Sequence, residues 1–191
     1  MLKPFEQVLE SDRRYQAMVL IDRATGATRQ FALEDHYASI AGLELGELVP
    51  QDIGEQFDNA RNVFIYGWFD YNLIAVSDGL AYGALELALK TRANKEGIKF
   101  SRPAGLRKLL EIALNRQWLR DDRFPSFVKR HGYSELSTAD PQAFCRILLE
   151  TLPELRNEFA HGNFSVYPPG SALIGLELCA EIIVQLFSEV P

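Results

Sequence analysis

Between Tyr66 and Lys90 the chain carries large apolar residues on nearly every side of a helix: Trp68, Phe69, Tyr71, Leu73, Ile74, Val76, Leu80, Leu85, Leu87 and Leu89. A helix that is apolar all round either crosses a membrane or runs through the centre of a bundle. Asp70, Asn72, Asp78 and Glu86 interrupt this run. Each carboxylate placed near a bilayer centre would cost about 2.5–3.5 kcal/mol, so the run reads as the central helix of a bundle and not as a membrane span. Upstream, Ile53, Phe57, Ala60 and Phe64 recur at helical spacing. The pattern therefore stays helical from Gln51 to about Ala93, with a bend allowed at Gly67.

The other elements follow from similar signals. A short apolar run at 15–22, a turn containing Gly26 and a second run at 27–32 predict a β-hairpin. Leu33 to Ala41 reads as a short helix ended near Gly42, and Pro50 marks a boundary because the residue before proline avoids helical backbone. Residues 1–50 form an N-terminal extension and 51–191 the bundle. Within the bundle, 94–103 is a basic connection, and a helix over about 105–119 places Leu106, Leu109, Leu110, Ala113 and Leu114 on one side. Residues 120–140 read as a loop or broken helix. Asp140 and Pro141 suit the cap and first turn of the next helix. Its stripe runs Phe144, Leu148, Leu152, Leu155 and Phe159, with Pro153 able to bend it and Gly162 to stop it. A turn at 167–171 and an apolar helix over about 172–188 close the fold. The class is mainly α: a four- to five-helix bundle with a small β-hairpin.

Charge is unevenly spread. The 191 residues carry a net −6, yet 90–131 holds twelve Lys or Arg against four Asp or Glu. Overall acidity, taken alone, argues against a protein that coats nucleic acid indiscriminately. The local surplus of cations marks either a phosphate-facing side or a solvated helical face. Cys145 and Cys179 lie far apart with no metal-ligand spacing and fall on apolar helix faces, so they read as core. No secretion signal opens the chain, which points to a reducing cytoplasm. Tyr66, Trp68 and Phe69 also read as core rather than as a base-stacking platform.

The most informative string is Arg156-Asn157-Glu158-Phe159-Ala160-His161-Gly162, in which four residues separate the arginine from the histidine. At about 100° per residue, Asn157 and His161 share a helix face, while Arg156 lies about 140° from His161. Two readings of these residues stand side by side. In one, His161 simply ends a helix at its negative pole and Arg156 pairs with a nearby acid. In the other, a permanently charged planar fork, an amide and an imidazole that titrates near neutrality form a phosphate-handling site. Asp78, Tyr82 and Glu86 fall at i, i+4 and i+8 in the central helix. Either Asp78 or Glu86 orients Arg156, or the stripe faces solvent or the basic segment. His36, His131 and His161 are scattered, the acids show no metal-binding spacing, and no phosphate-binding glycine loop occurs, so neither metal nor cofactor is expected.

The string resembles the signature of the HEPN superfamily, whose members carry an arginine followed by a polar residue and then a histidine a few positions on. The resemblance extends to the helical setting over about 51–190 and leaves the first fifty residues outside. It implies a metal-independent endoribonuclease acting through attack by the ribose 2′-OH. Arg156, Asn157 and His161 would be its catalytic residues, in a cleft completed by a symmetric homodimer. Asp78 and Glu86 would be supporting residues, and Lys95, Lys99, Arg102, Arg107 and Lys108 of the basic stretch would bind RNA. It also implies work in toxin–antitoxin, defence or stress systems beside a nucleotidyltransferase-like antitoxin. The alternative is a non-catalytic HEPN-like module for dimerisation, interaction or nucleotide binding.

Overall fold

The computed structural model describes residues 2–131, 140–160 and 168–188. It is mainly helical with one two-stranded antiparallel hairpin, as the sequence predicts. In chain order the elements are α1 (Arg13–Gln16), β1 (Val19–Ile21), β2 (Thr28–Gln30), α2 (Leu33–Ala41), α3 (Gln51–Tyr66), α4 (Leu73–Lys95), α5 (Leu106–Asn115), α6 (Pro125–His131), α7 (Ala143–Ala160) and α8 (Pro169–Phe187). Short 3-10 turns occupy Phe5–Gln7 and Asp121–Arg123.

The long helical run of 51–93 is not one bent helix but two, broken at 67–72. At Gly67 a Cβ would collide with the Ile74 side chain and lie 2.8 Å from the Phe64 carbonyl, so the chain reverses where no side chain stands in the way. Gln56 of α3 meets Gly83 of α4, which fixes the two as an antiparallel hairpin. α4 is central, packing on α3, α5, α7 and α8. Its buried residues Ile74, Ala75, Ala81, Tyr82, Ala84, Leu85, Ala88 and Leu89 point to different sides, which is why its sequence shows no single apolar stripe. Small residues allow close approach: Asp78 of α4 lies against Gly175 of α8, where a Cβ would meet Oδ1 at 2.9 Å.

The N-terminal residues are docked through aromatic rings. Tyr15 is fully buried among Phe31, His36, Trp68 and Tyr71. His36 stacks on Phe64 at 4.6 Å, and its Nε2–H donates to the Phe64 carbonyl at 2.8 Å. Asp12 donates its N–H to the Trp68 carbonyl (2.8 Å), and its carboxylate accepts from Tyr71 N (3.2 Å), clasping the break between α3 and α4. Trp68 thus belongs to this cluster, whereas Tyr66 is exposed. β1 and β2 pair with Leu20 opposite Arg29, and the turn between them has Gly26 at φ +71.

Helix ends differ from the sequence reading in three places, the first being α8, which starts at Pro169 inside the stretch read as a turn because proline suits a first helical turn. α5 stops at Asn115, not near 119, because Gln117 adopts a left-handed φ of 57. Trp118 N then bonds Ala113 O and Gln117 N bonds Leu114 O, both at 2.9 Å; this is the paired arrangement that ends helices, here without the usual glycine. α7 begins at Ala143, whose N–H goes to the Asp140 carbonyl at 3.3 Å, and the next two donors, Phe144 N and Cys145 N, go to the carboxylate of Asp121 at 2.8 and 3.0 Å. Asp140 instead turns onto Gln142 N and pairs with Arg146.

α8 is long and apolar enough, by length and composition, to cross a bilayer, and half of that stretch is buried inside the protein. Its polar residues bind the 120–126 segment. Gln185 accepts from Arg120 N and donates to Arg123 O, both at 3.0 Å, and Glu181 accepts from Ser126 N and Oγ at 2.7 Å. Cys145 and Cys179 are buried free thiols, as the apolar spacing predicts. Burial pushes both thiols well above their ordinary range.

Candidate functional site

Arg156 sits near the C-terminal end of α7, which three contacts fix. Asp121 holds the helix's first turn, as above. Arg107 at the start of α5 donates to Glu150 Oε2 (2.9 Å) and Glu154 Oε1 (3.1 Å) on α7. Those two acids, Glu150 before Glu154, raise the Arg107 guanidinium above its ordinary range. The third contact is Glu86 of α4, whose Oε1 accepts from Arg156 Nε at 2.8 Å.

Glu86 is well placed for that role. Its side chain is only 13% exposed, while that of Arg156 is 40% exposed. A carboxylate withdrawn from water needs charge-assisted partners. Glu86 has two, since its Oε2 also meets Lys90 Nζ at 3.5 Å. Among the described residues, Glu86 is the one partner of Arg156. The terminal guanidinium nitrogens are therefore not engaged by a protein acceptor there.

Arg156 and Asn157 open into a cleft of about 430 Å³ between α5 and α7, with Gly105, Arg107, Lys108 and Pro153 among its walls. Asn157 is exposed. Lys108 pairs with Glu111 at 3.1 Å within α5. Pro153 lies inside α7 without ending it and forms part of the cleft wall.

Thus Arg156, Asn157, Glu86, Arg107 and Lys108 come together. Asp78 does not join them; it lies against Gly175, in the α4–α8 contact. Of the remaining cations, Arg102 lines a separate cleft of about 450 Å³ with Lys90, Asn94 and Phe100. Lys95 places its ammonium 5.0 Å from the centre of the Phe187 ring. Lys99 is exposed. His161, Gly162 and residues 163–167 lie outside the described residues. Among the described residues, no three His, Cys, Asp or Glu side chains gather as a metal-ligand set.

The sequence reading missed Asp121 as the cap of α7 and Arg107 as the clasp between α5 and α7. Asp121 is 23 positions from Phe144 and carried no local signal. The Glu150/Glu154 pair at i, i+4 was the one available hint of a cation docking on α7.

No family model, no curated protein and no solved structure matches this chain.

Proposed function

We propose that the chain is a metal-independent endoribonuclease of HEPN type, with Arg156, Asn157 and His161 as its catalytic residues. The observation that supports this most is the Glu86–Arg156 pair at the edge of a cleft that also holds Asn157, Arg107 and Lys108. A guanidinium tethered at Nε keeps its planar fork oriented while its other nitrogens are available to phosphate oxygens.

In this reading the ribose 2′-oxygen attacks the adjacent phosphorus as His161 takes its proton. Arg156 stabilises the charge that builds on the equatorial oxygens. The bond to the 5′-oxygen then breaks, and that oxygen takes a proton from the imidazole of a second copy in a C2 dimer. The products are a 2′,3′-cyclic phosphate and a 5′-hydroxyl. Asn157 positions the imidazole or the phosphate through its amide. A cytoplasmic setting suits the two free thiols. A toxin–antitoxin, defence or stress role, with a nucleotidyltransferase-like antitoxin, follows from the resemblance alone.

One observation favours the second reading, a non-catalytic binding module. Arg107, Lys108 and Arg156 each already meet a carboxylate, which lowers the net positive charge of the cleft. The two readings part on mixed RNA incubated with the purified protein in EDTA. The nuclease reading expects cleavage by the wild type and loss of at least a hundredfold in Arg156→Ala and His161→Ala. Intact RNA with a folded wild-type protein selects the module.

A further inference from the structure

The cleft that holds Arg102 has no place in the reaction above, yet its walls are of the kinds that hold a nucleotide. Phe100 is half-buried, packed on the core and also lining this cleft. Asn94 contributes an exposed amide, and Lys90 and Arg102 contribute cations. Aromatic faces bind bases by stacking whatever the base, an amide can pair with a base edge, and cations follow the backbone.

Charge pairing singles out the same place. Arg107, Lys108 and Arg156 have carboxylate partners, whereas among the described residues Arg102 and Lys99 have none. Of the five cations expected to meet RNA, those without a carboxylate partner among the described residues are Lys95, which sits on the Phe187 ring, and Lys99 and Arg102, which flank Phe100 in sequence; none of them lines the Arg156 cleft.

The two clefts adjoin. Ala104 lines one and Gly105 the other. Glu86 ties Lys90 of the first to Arg156 of the second.

We infer that the Phe100–Arg102 cleft is a nucleotide-binding subsite for single-stranded RNA. Phe100 stacks a base, Asn94 pairs with its edge, and Arg102 holds a phosphate, so that the strand runs on toward Arg156. The inference rests on the nuclease reading for the course of the strand, but binding can be measured without cleavage.

The test uses a fluorescein-labelled 2′-O-methyl octanucleotide of mixed sequence, which lacks the attacking hydroxyl, and the full chain. Binding is followed by fluorescence anisotropy over a range of salt. Phe100→Leu keeps the apolar packing and removes the stacking face; Arg102→Glu alters an exposed side chain that has no hydrogen bond or ion pair among the described residues. Each is expected to weaken binding about tenfold. Arg102→Glu should also flatten the salt dependence, which Phe100→Leu leaves unchanged. Wild-type affinity in both variants, no binding by the wild type, or equally good competition by an acidic peptide would each overturn the subsite. RNA left uncut in EDTA together with Phe100-dependent binding would instead reject the nuclease reading and keep the subsite.

Discussion

Glu86 and Arg156 lie seventy positions apart in sequence and 2.8 Å apart in space, joined through Oε1 and Nε. The contact links the central helix α4 to the end of α7. It fixes the direction of the one arginine that the motif depends on, while leaving the far side of its guanidinium to the cleft.

If Glu86 positions Arg156, Glu86→Gln should lower kcat for RNA cleavage about tenfold and leave KM little changed. The amide keeps an acceptor at the same place but loses the charge assistance. Glu86→Ala should also reduce stability by about 1 kcal/mol, because the pair is partly exposed and Lys90 loses its partner as well. Steady-state kinetics of the three proteins, beside their urea midpoints, separate positioning from stability.

Asp121 is 3% exposed and receives two donors of the first turn of α7. Asp121→Ala leaves both N–H groups, one buried and one part-buried, without an acceptor and should cost about 2–3 kcal/mol. Asp121→Asn retains one acceptor oxygen and should fall between. Urea unfolding curves compared at constant slope measure both.

Gln117 holds a left-handed backbone that costs a side-chain-bearing residue roughly 1 kcal/mol. Gln117→Gly should relieve this strain, offset in part by the greater freedom of glycine in the unfolded chain. A net gain of about 0.5 kcal/mol is expected, seen as a rise in Tm. A fall in Tm would mean that the Gln117 side chain contributes more than its backbone costs.

Burial lowers the pKa of His36 below its ordinary 6.5, with the Phe64 carbonyl opposing the shift in part. A histidine that binds its proton more weakly when folded stabilises the fold above the unfolded pKa. That stability is lost as pH falls from about 6.5 through the lower folded value. The unfolding free energy should therefore drop between pH 7 and pH 5. His36→Phe, which retains the stack on Phe64, should show a smaller drop over the same range. Equal pH slopes in the two proteins would reject the assignment.

Much of this architecture could be read in the chain. The all-round apolar run found α4, and the hairpin and α2 lie where turn residues placed them. The spacing of Asp78, Tyr82 and Glu86 identified the face that carries the partner of Arg156, although only Glu86 reaches it. What the sequence hid was long-range. Gly67 reads locally as a bend, and only the close approach of Ile74, which leaves no room for a Cβ, shows it as a reversal. Asp121 caps a helix that starts 22 residues later. Asp140, which has the right residue type in the right place, gives its carboxylate to Arg146. Local signals specify helices well because helix bonds are local, while caps and clasps drawn from other elements leave no periodicity to find.

The proposed attack by a ribose hydroxyl at a site built on Arg156 and His161 is tested most directly by the end groups of the cut RNA. Mass spectrometry of a defined oligoribonucleotide, digested in EDTA by the wild type and by His161→Ala, should show 2′,3′-cyclic phosphate and 5′-hydroxyl ends with the first and none with the second. Products ending in 5′-phosphate, or the same cyclic ends at the same rate from His161→Ala, would contradict it.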